Sequence, residues 1–426
     1  MEVGGVFAGA TRARLVAALR HLDELHGVSL GWQAALFVLA LLATFSRRPD
    51  AFLHAQFYGE DTIWYAQAYN LHWLRSLVLP QAGYLQTFPR LVAGATLLFP
   101  LLWAPLIMNT VGAIVQVLPV TALLSRRCST WGPLHLRIVM SIIYVAIPNA
   151  AEVHIVLTNA MWHLALLQVL IAFAEPPRNW QERASDLVLF SVGAISGPFC
   201  ILMLLPVAIY WWLRRQPWTL VVASILLLCA VAQAFFIHSY SRAPGMPLGA
   251  GFIAFLRLLA GSVFVDSMLG RGGPRLPVSL LLIAAAGGLT ILVWGLWKAP
   301  LPFRLFALFA AITFAASLKD PLVFGPLPRW QLLAMVIWCR YWYYPSLLFL
   351  WSAAWCVTQG RGKLPRLAGS FVLLLMLAGA VRQWVYPPWP DHHYLNYVER
   401  FRDASPGQEV VIPVYPEGWN VDLIKQ

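Results

Sequence analysis

Charge is scarce in this chain. Only 11% of its 426 residues are Asp, Glu, Lys or Arg and 60% are hydrophobic, whereas a soluble globular protein carries about 25% charged residues. That shortage excludes an ordinary soluble domain and leaves a polytopic membrane protein. Close cysteine spacing is missing too. The five cysteines, at 128, 200, 229, 339 and 356, are far apart and four lie in or beside apolar runs. They read as small core residues, not as a disulfide framework or a zinc site. No internal repeat is visible, which counts against inverted-repeat transporters. The opening "MEVGGVFAGATRARLVAALRHLDELHG" lacks the compact apolar core and cleavage site of a signal peptide. Residues 1–28 therefore read as a cytoplasmic amphipathic lead-in to a retained first span. Acids are outnumbered, and the net charge is +12. Nucleic acid is not the implied partner. The Lys and Arg residues cluster between apolar runs, where membrane topology and lipid phosphate explain them.

What is present is a succession of apolar segments. A spanning helix needs roughly 20 mostly apolar residues. Such segments fall near 29–46, 104–125, 134–150, 158–174, 219–238, 277–298, 301–318, 338–358 and 364–384. Residues 186–213 add two short helices, with a reversal or a kink at Gly197-Pro198. Pro100 and Pro105 break the long run 91–125, so 90–100 reads as an interfacial or re-entrant helix. The expected fold is all-α and polytopic, with about eleven transmembrane helices. Arg12, Arg14 and Arg20 precede the first span, which places the N-terminus inside and the C-terminus outside. One membrane domain covers 29–384, with extracytoplasmic segments at about 47–100, 239–276 and 319–337. An outer tail, 385–426, includes a short strand at "EVVIPV" and either docks or folds back as a lid.

The chemistry centres on "FYGEDTIWYAQAYNLHW", residues 57–73. Few helix breakers follow until Pro80, so a helix over about 61–79 is expected. Helical spacing puts Asp61, Tyr65, Ala68, His72 and Arg75 on one face and Trp64, Leu71, Leu74 and Val78 on another. Such a helix lies along the outer membrane surface. An acid at its start stabilises the helix dipole by about 0.3–1 kcal/mol, which accounts for one carboxylate of the Glu60-Asp61 pair. A carboxylate facing a membrane cavity has a raised pKa and suits proton removal from a hydroxyl. Trp64, Tyr65 and Tyr84 offer flat stacking surfaces, and Gln86 offers paired hydrogen bonds; both suit a sugar. The second outer loop, "EVHIVLTNAMWH", adds Glu152, His154, Asn159, Trp162 and His163. There His154 reads as a solvated loop residue and His163 as a phosphate or acceptor contact or a buried histidine. Asp266 reads as a solvated loop acid.

These segments resemble the C-class glycosyltransferases (GT-C), polytopic enzymes that use polyprenyl-phosphate sugars. Members carry an acid early in the first extracytoplasmic loop, followed by a Tyr- and Ala-rich helix parallel to the membrane. "GEDTIWYAQAY" matches that pattern, "PQAGYLQTFPRLVA" looks like its continuation, and "CRYWYYPSLLFLW" is similar to late-span "RY…P" segments of bacterial members. The large soluble C-terminal domain and WWDYG signature of oligosaccharyltransferases are missing, which counts against sequon glycosylation. It also lacks an Asp-x-Asp in the first loop. No metal or cofactor is assigned, and a divalent ion stays open.

The resemblance implies an inverting sugar transfer from a lipid phosphate to a glycan, lipid or protein acceptor on the extracytoplasmic face, and the Ala-, Arg-, Gly-, Leu- and Pro-rich residue usage points to a bacterial plasma membrane. Leaving phosphate builds negative charge, which a positioned cation stabilises. Arg340, beside Tyr341, is the first candidate for that role, with Arg90 next and Arg257 and Arg329 weaker. Asp61 is favoured over Glu60 as general base because it shares a helical face with Tyr65; the other acid is left to bind a sugar hydroxyl. Trp64, Tyr65, Tyr84, Gln86, Asn159 and His163 are the candidate sugar and acceptor contacts. A flippase or transporter is the alternative, yet the spans hold almost no ionisable groups, which transport pathways need. A polymerase or ligase of lipid-linked glycans is a further alternative, disfavoured by the short 319–337 loop.

Overall fold

The computed structural model describes residues 26–240, 246–323, 325–335 and 339–426; most of the expected N-terminal lead-in lies outside them. Helix makes up 72% of the fold and strand 4%, which makes it an all-α architecture of membrane type. Among the described residues, seven helices are long and apolar enough to cross a membrane. Six coincide with expected spans: Leu30–Arg47, Leu101–Leu124, Pro217–Ser239, Val278–Trp297, Leu301–Lys319 and Lys363–Arg382. Leu134–Ala146, Leu157–Ala172 and Phe199–Arg214 are shorter apolar helices, and Trp180–Ala194 and Tyr343–Gln359 complete the bundle. Pro105 sits in the first turn of its helix, where the missing N–H has no partner to lose.

The seventh long apolar helix, Phe252–Leu269, falls in a segment expected to lie outside. Both its flanks sit at one end of the bundle. Before it, Pro247 and Leu248 carbonyls accept from Arg329 and Trp330 N–H groups, and Trp330 in turn bonds Leu318 O. After it, Arg382 donates to Leu269 O. The segment therefore enters and leaves on the same side. Its middle, Arg257–Val265, is a π-helix.

The loops separate into two ends. One end gathers residues 26–28, 123–137 and 173–186: Val28 N bonds Leu124 O, Arg137 bonds His26 O, and Arg127 pairs with Asp186 at 2.7 Å. The other end gathers the first loop, the second loop and the C-terminal tail. Arg47, 1% exposed, ties them together by donating to Val145 O at 2.6 Å, Ile147 O at 2.9 Å and Trp384 O at 3.3 Å.

The tail packs against the first loop. Strands β1 (Glu409–Val414) and β2 (Trp419–Ile424) form an antiparallel hairpin pairing Val410 with Leu423 and Ile412 with Val421. Burial alternates along both strands, as one buried face of a two-residue period requires. Val410, Ile412, Val414, Val421 and Leu423 join Phe57, Trp64, Tyr65 and Ala68 in a second core, distinct from that of the bundle. Fully burying each aliphatic side chain contributes about 1.5–3 kcal/mol. Gly59 N to Tyr415 O at 2.9 Å and Asn70 to Asp422 O at 2.8 Å seal the junction. The tail is docked along its length.

Candidate functional site

The first-loop helix is shorter than its composition suggests. It runs Asp61–Leu71 and stops at His72, whose φ of 77° leaves helical space; a four-residue helix, Trp73–Ser76, follows in a new direction. His72 and Arg75 thus do not continue the face of Asp61, Tyr65 and Ala68. Leu71, Leu74 and Val78 are 42%, 54% and 62% exposed, an apolar surface suited to a membrane interface.

Asp61 is 1% exposed. Its Oδ1 accepts two hydrogen bonds from Thr158, from N at 3.0 Å and Oγ1 at 2.7 Å, and Trp64 Nε1 donates to the same Oγ1 at 2.8 Å. Burial pushes the Asp61 carboxyl up to about 7; the Thr158 bonds pull it down and the Glu60 charge adds to the rise. Asp61 pins the first loop to the second. Glu60, half-buried one residue earlier, faces differently and lies in the electrostatic field of Arg340.

Arg340 is held from the second loop. Its Nε lies 3.2 Å from Glu152 Oε1, its backbone N donates to Glu152 Oε2 at 3.1 Å, and its guanidinium packs 5.2 Å from the Tyr341 ring centre. The loop carrying Glu152 is braced by Asn159, which donates to Glu152 O at 2.7 Å, and by His163, which reaches Val153 O at 2.7 Å. His154 is buried between Gln116 and Thr44 O, not solvated. Burial holds its imidazole well below the usual histidine range, so it stays neutral.

Arg340 and Tyr341 line a cavity of ≈ 410 Å³. Met161, Phe199, Ile201, Leu202 and Ile237 give it an apolar wall, and Tyr84, Lys319, Asp320 and Arg340 give it a polar end. The reversal at 195–198 builds one side. Gly197, at φ 146°, lies against Met161, whose Sδ is 3.0 Å from where a Cβ would stand. Gln233 holds this turn by donating to Gly197 O and Leu85 O while accepting from Leu85 N, and Leu85 follows the cavity residue Tyr84. Two wall residues carry buried polar atoms without a hydrogen-bond partner, Trp162 Nε1 and Thr313 Oγ1. Lys319 is exposed and forms no ion pair with a described residue.

The structure thus brings together Tyr84, Arg340 and Tyr341, with Glu60 in electrostatic reach. It places the other sequence candidates elsewhere. Arg90 is fully buried, 4.6 Å over the Trp64 ring, and bonds Gln67 at 2.5 Å; burial lowers its pKa to about 10. Trp64 and Tyr65 belong to the core shared with the tail. Gln86 is buried and outside the cavity lining, as are Asn159 and His163. Arg329 pairs with Asp320 at 2.5 Å. Asp266, read as solvated, is 5% exposed. Sequence reasoning missed Lys319 and gave Glu152 no role. The only local signal was position: Lys319 closes an apolar span at "AASLKDP". Among the described residues, no group of three or more His, Cys, Asp or Glu side chains could hold a metal ion. Comparison with family models, curated proteins and solved structures finds no match to this chain.

Proposed function

We propose that the chain is an integral membrane glycosyltransferase of about eleven spans that moves a sugar from a polyprenyl-phosphate donor to a hydroxyl acceptor. The observation that carries this reading is the Arg340 cavity, an apolar slot ending in Lys319, Arg340 and Tyr84. A lipid chain suits the slot and an anionic phosphate suits its end. Charge supports an outward-facing cavity: Arg126, Arg127, Arg214, Arg215, Arg361 and Lys363 flank the span ends away from it, the pattern expected of a cytoplasmic side.

In this reading Glu60, not Asp61, is the base. Asp61 is spent on Thr158, whereas Glu60 shares the field of Arg340. The acceptor hydroxyl oxygen attacks the anomeric carbon as its bond to the phosphate oxygen breaks. Glu60 takes the hydroxyl proton, and the polyprenyl phosphate leaves with the electron pair. Arg340 is partly neutralised by Glu152, so Lys319 supplies the uncompensated positive charge for the departing phosphate. Trp162 Nε1 and Thr313 Oγ1 are available to donor oxygens.

The test uses the purified full chain with a radiolabelled polyprenyl-phosphate sugar and a membrane-derived acceptor fraction. A general base contributes about 10²–10⁴-fold, so Glu60→Gln should lower turnover by that order with donor binding kept. Lys319→Ala and Arg340→Ala should each weaken donor binding about tenfold or more. Full turnover in Glu60→Gln, or donor binding indifferent to both cation variants, overturns the proposal.

A further inference from the structure

A second polar cavity lies in the same end of the molecule and takes no part in the site above. Its volume is ≈ 280 Å³, and its lining includes Asn149, Ser262, Asp266, Arg271, Arg275 and Met335. It is a built feature. The π-helix Arg257–Val265 brings Gly261 against the loop 270–275: a Cβ on Gly261 would lie 2.5 Å from Pro274 N, and one on Gly273 would lie 2.3 Å from Gly261 O. Asp266 Oδ1 anchors the loop by accepting from Gly273 N at 2.7 Å. π-helical turns recur at functional sites because they widen the helix, and here the widened turn carries Ser262.

Two buried polar atoms of the lining have no hydrogen-bond partner, Asn149 Oδ1 and Ser262 Oγ, on residues 7% and 1% exposed. An unmet buried polar group costs about 1–3 kcal/mol, so two in one cavity point to a ligand that meets them. The atoms select its chemistry. Asn149 Oδ1 accepts only, Ser262 Oγ accepts or donates, and Asp266 brings a carboxyl group to the same lining, so the ligand must carry hydrogen-bond donors or positive charge. Inorganic phosphate offers few or none and meets the Asp266 charge. A metal cation would suit the oxygens but is repelled by Arg271 and Arg275. A neutral polyol has donors for the three oxygens and acceptors for the two guanidinium groups, which are exposed at the rim.

We infer that this cavity binds the hydroxyl groups of a sugar ring. On the transferase reading, that sugar belongs to the acceptor. The two cavities are linked by the chain itself. The loop after Leu134–Ala146 puts Asn149 in the polyol cavity and Glu152 on Arg340. Ala334 and Met335 line the polyol cavity, and Arg340 and Tyr341 line the donor cavity.

The experiment is saturation-transfer NMR on the detergent-solubilised full chain, with methyl glucoside, methyl galactoside, methyl mannoside and methyl arabinoside as probes and inorganic phosphate and calcium chloride added as competitors. At least one glycoside should bind, and Ser262→Ala and Asn149→Gly should each weaken it about threefold to tenfold, the value of one neutral hydrogen bond. Glycine keeps the φ of 54° found at Asn149, so that variant spares the backbone. The inference is overturned if no glycoside binds, if neither variant weakens binding, or if phosphate or calcium displaces every bound glycoside. Farnesyl phosphate, titrated against Lys319→Ala, reports separately on the donor cavity, so either reading can fail alone.

Discussion

Asp61→Asn should raise stability at neutral pH, although it removes a charge from a buried hydrogen-bonded position. The Asp61 carboxyl is pushed from an ordinary 3.8 to about 7. Between those values the folded state keeps the proton and the unfolded state has lost it. Stability therefore falls as pH rises through this window, and the full loss is reached above the folded pKa. The difference corresponds to about 4 kcal/mol at 1.36 kcal/mol per pKa unit. The carboxylate is buried and its bonds from Thr158 are already included in the shift, so the discount that applies to exposed groups does not enter. Asparagine presents a carbonyl oxygen to Thr158 N and Oγ1 and does not titrate. For a chain of this length, 4 kcal/mol corresponds to roughly 4–8 °C in melting temperature, scaling from smaller domains. The assay is a set of thermal melts in detergent from pH 4.5 to pH 8, wild type against Asp61→Asn. The difference between the two should grow in favour of the variant as pH rises and level off above pH 7.5 or so. Parallel pH profiles, or a variant that is equally destabilised at every pH, would refute the burial argument. Donor turnover in the same variant separates the two acids: it should stay within about tenfold of wild type, whereas Glu60→Gln loses about 10²-fold or more.

Three other substitutions probe the supports of the site. Glu152→Gln strips a largely buried Arg340 of its carboxylate and should cost about 3–5 kcal/mol, with much of it recovered in Glu152→Gln/Arg340→Gln; chemical denaturation of the three proteins checks this. Arg47→Lys cannot reproduce the fork to Val145 O, Ile147 O and Trp384 O, so limited proteolysis should cut the C-terminal tail much faster than in wild type. Gly197→Ala meets both a φ of 146° and Met161 Sδ at 3.0 Å; it should destabilise by about 1–3 kcal/mol and lower farnesyl phosphate affinity by deforming the cavity wall.

The spans were legible because apolar runs and flanking Arg pairs are local signals. Six long apolar helices fall where composition puts them, and "EVVIPV" forms β1. The segment 252–269 shows the limit of that reading. Its composition matches a span, but its course is set by contacts of its flanks with residues 328–330 and 382, which no local window contains. His72 ends the first-loop helix without the glycine or proline that announces a stop, because the chain must turn where Trp73 packs on the helix Thr87–Thr96, its ring 3.3 Å from the Cβ position of Gly94. The cavity was the least legible feature. Its walls come from residues near 84, 161, 199, 237, 316 and 340, and only the packing of several helices makes them neighbours.

The acidic pair shows how two neighbouring carboxylates come to lie in different surroundings. Successive residues on a helix point about 100° apart, as 3.6 residues per turn requires. If Asp61 turns into the protein to meet Thr158, its neighbour must turn elsewhere, and Glu60 is left half-buried within the field of Arg340. The helix start needs only one acid, and the loop junction needs only one buried acceptor. Asp61 meets both needs, which frees Glu60 from structural duty. Sharing a face with Tyr65, the argument that favoured Asp61 in the sequence, is what places it in the aromatic core behind the helix. On the transferase reading, the contact that recommends Asp61 in the sequence is the one that turns it away from the Arg340 cavity.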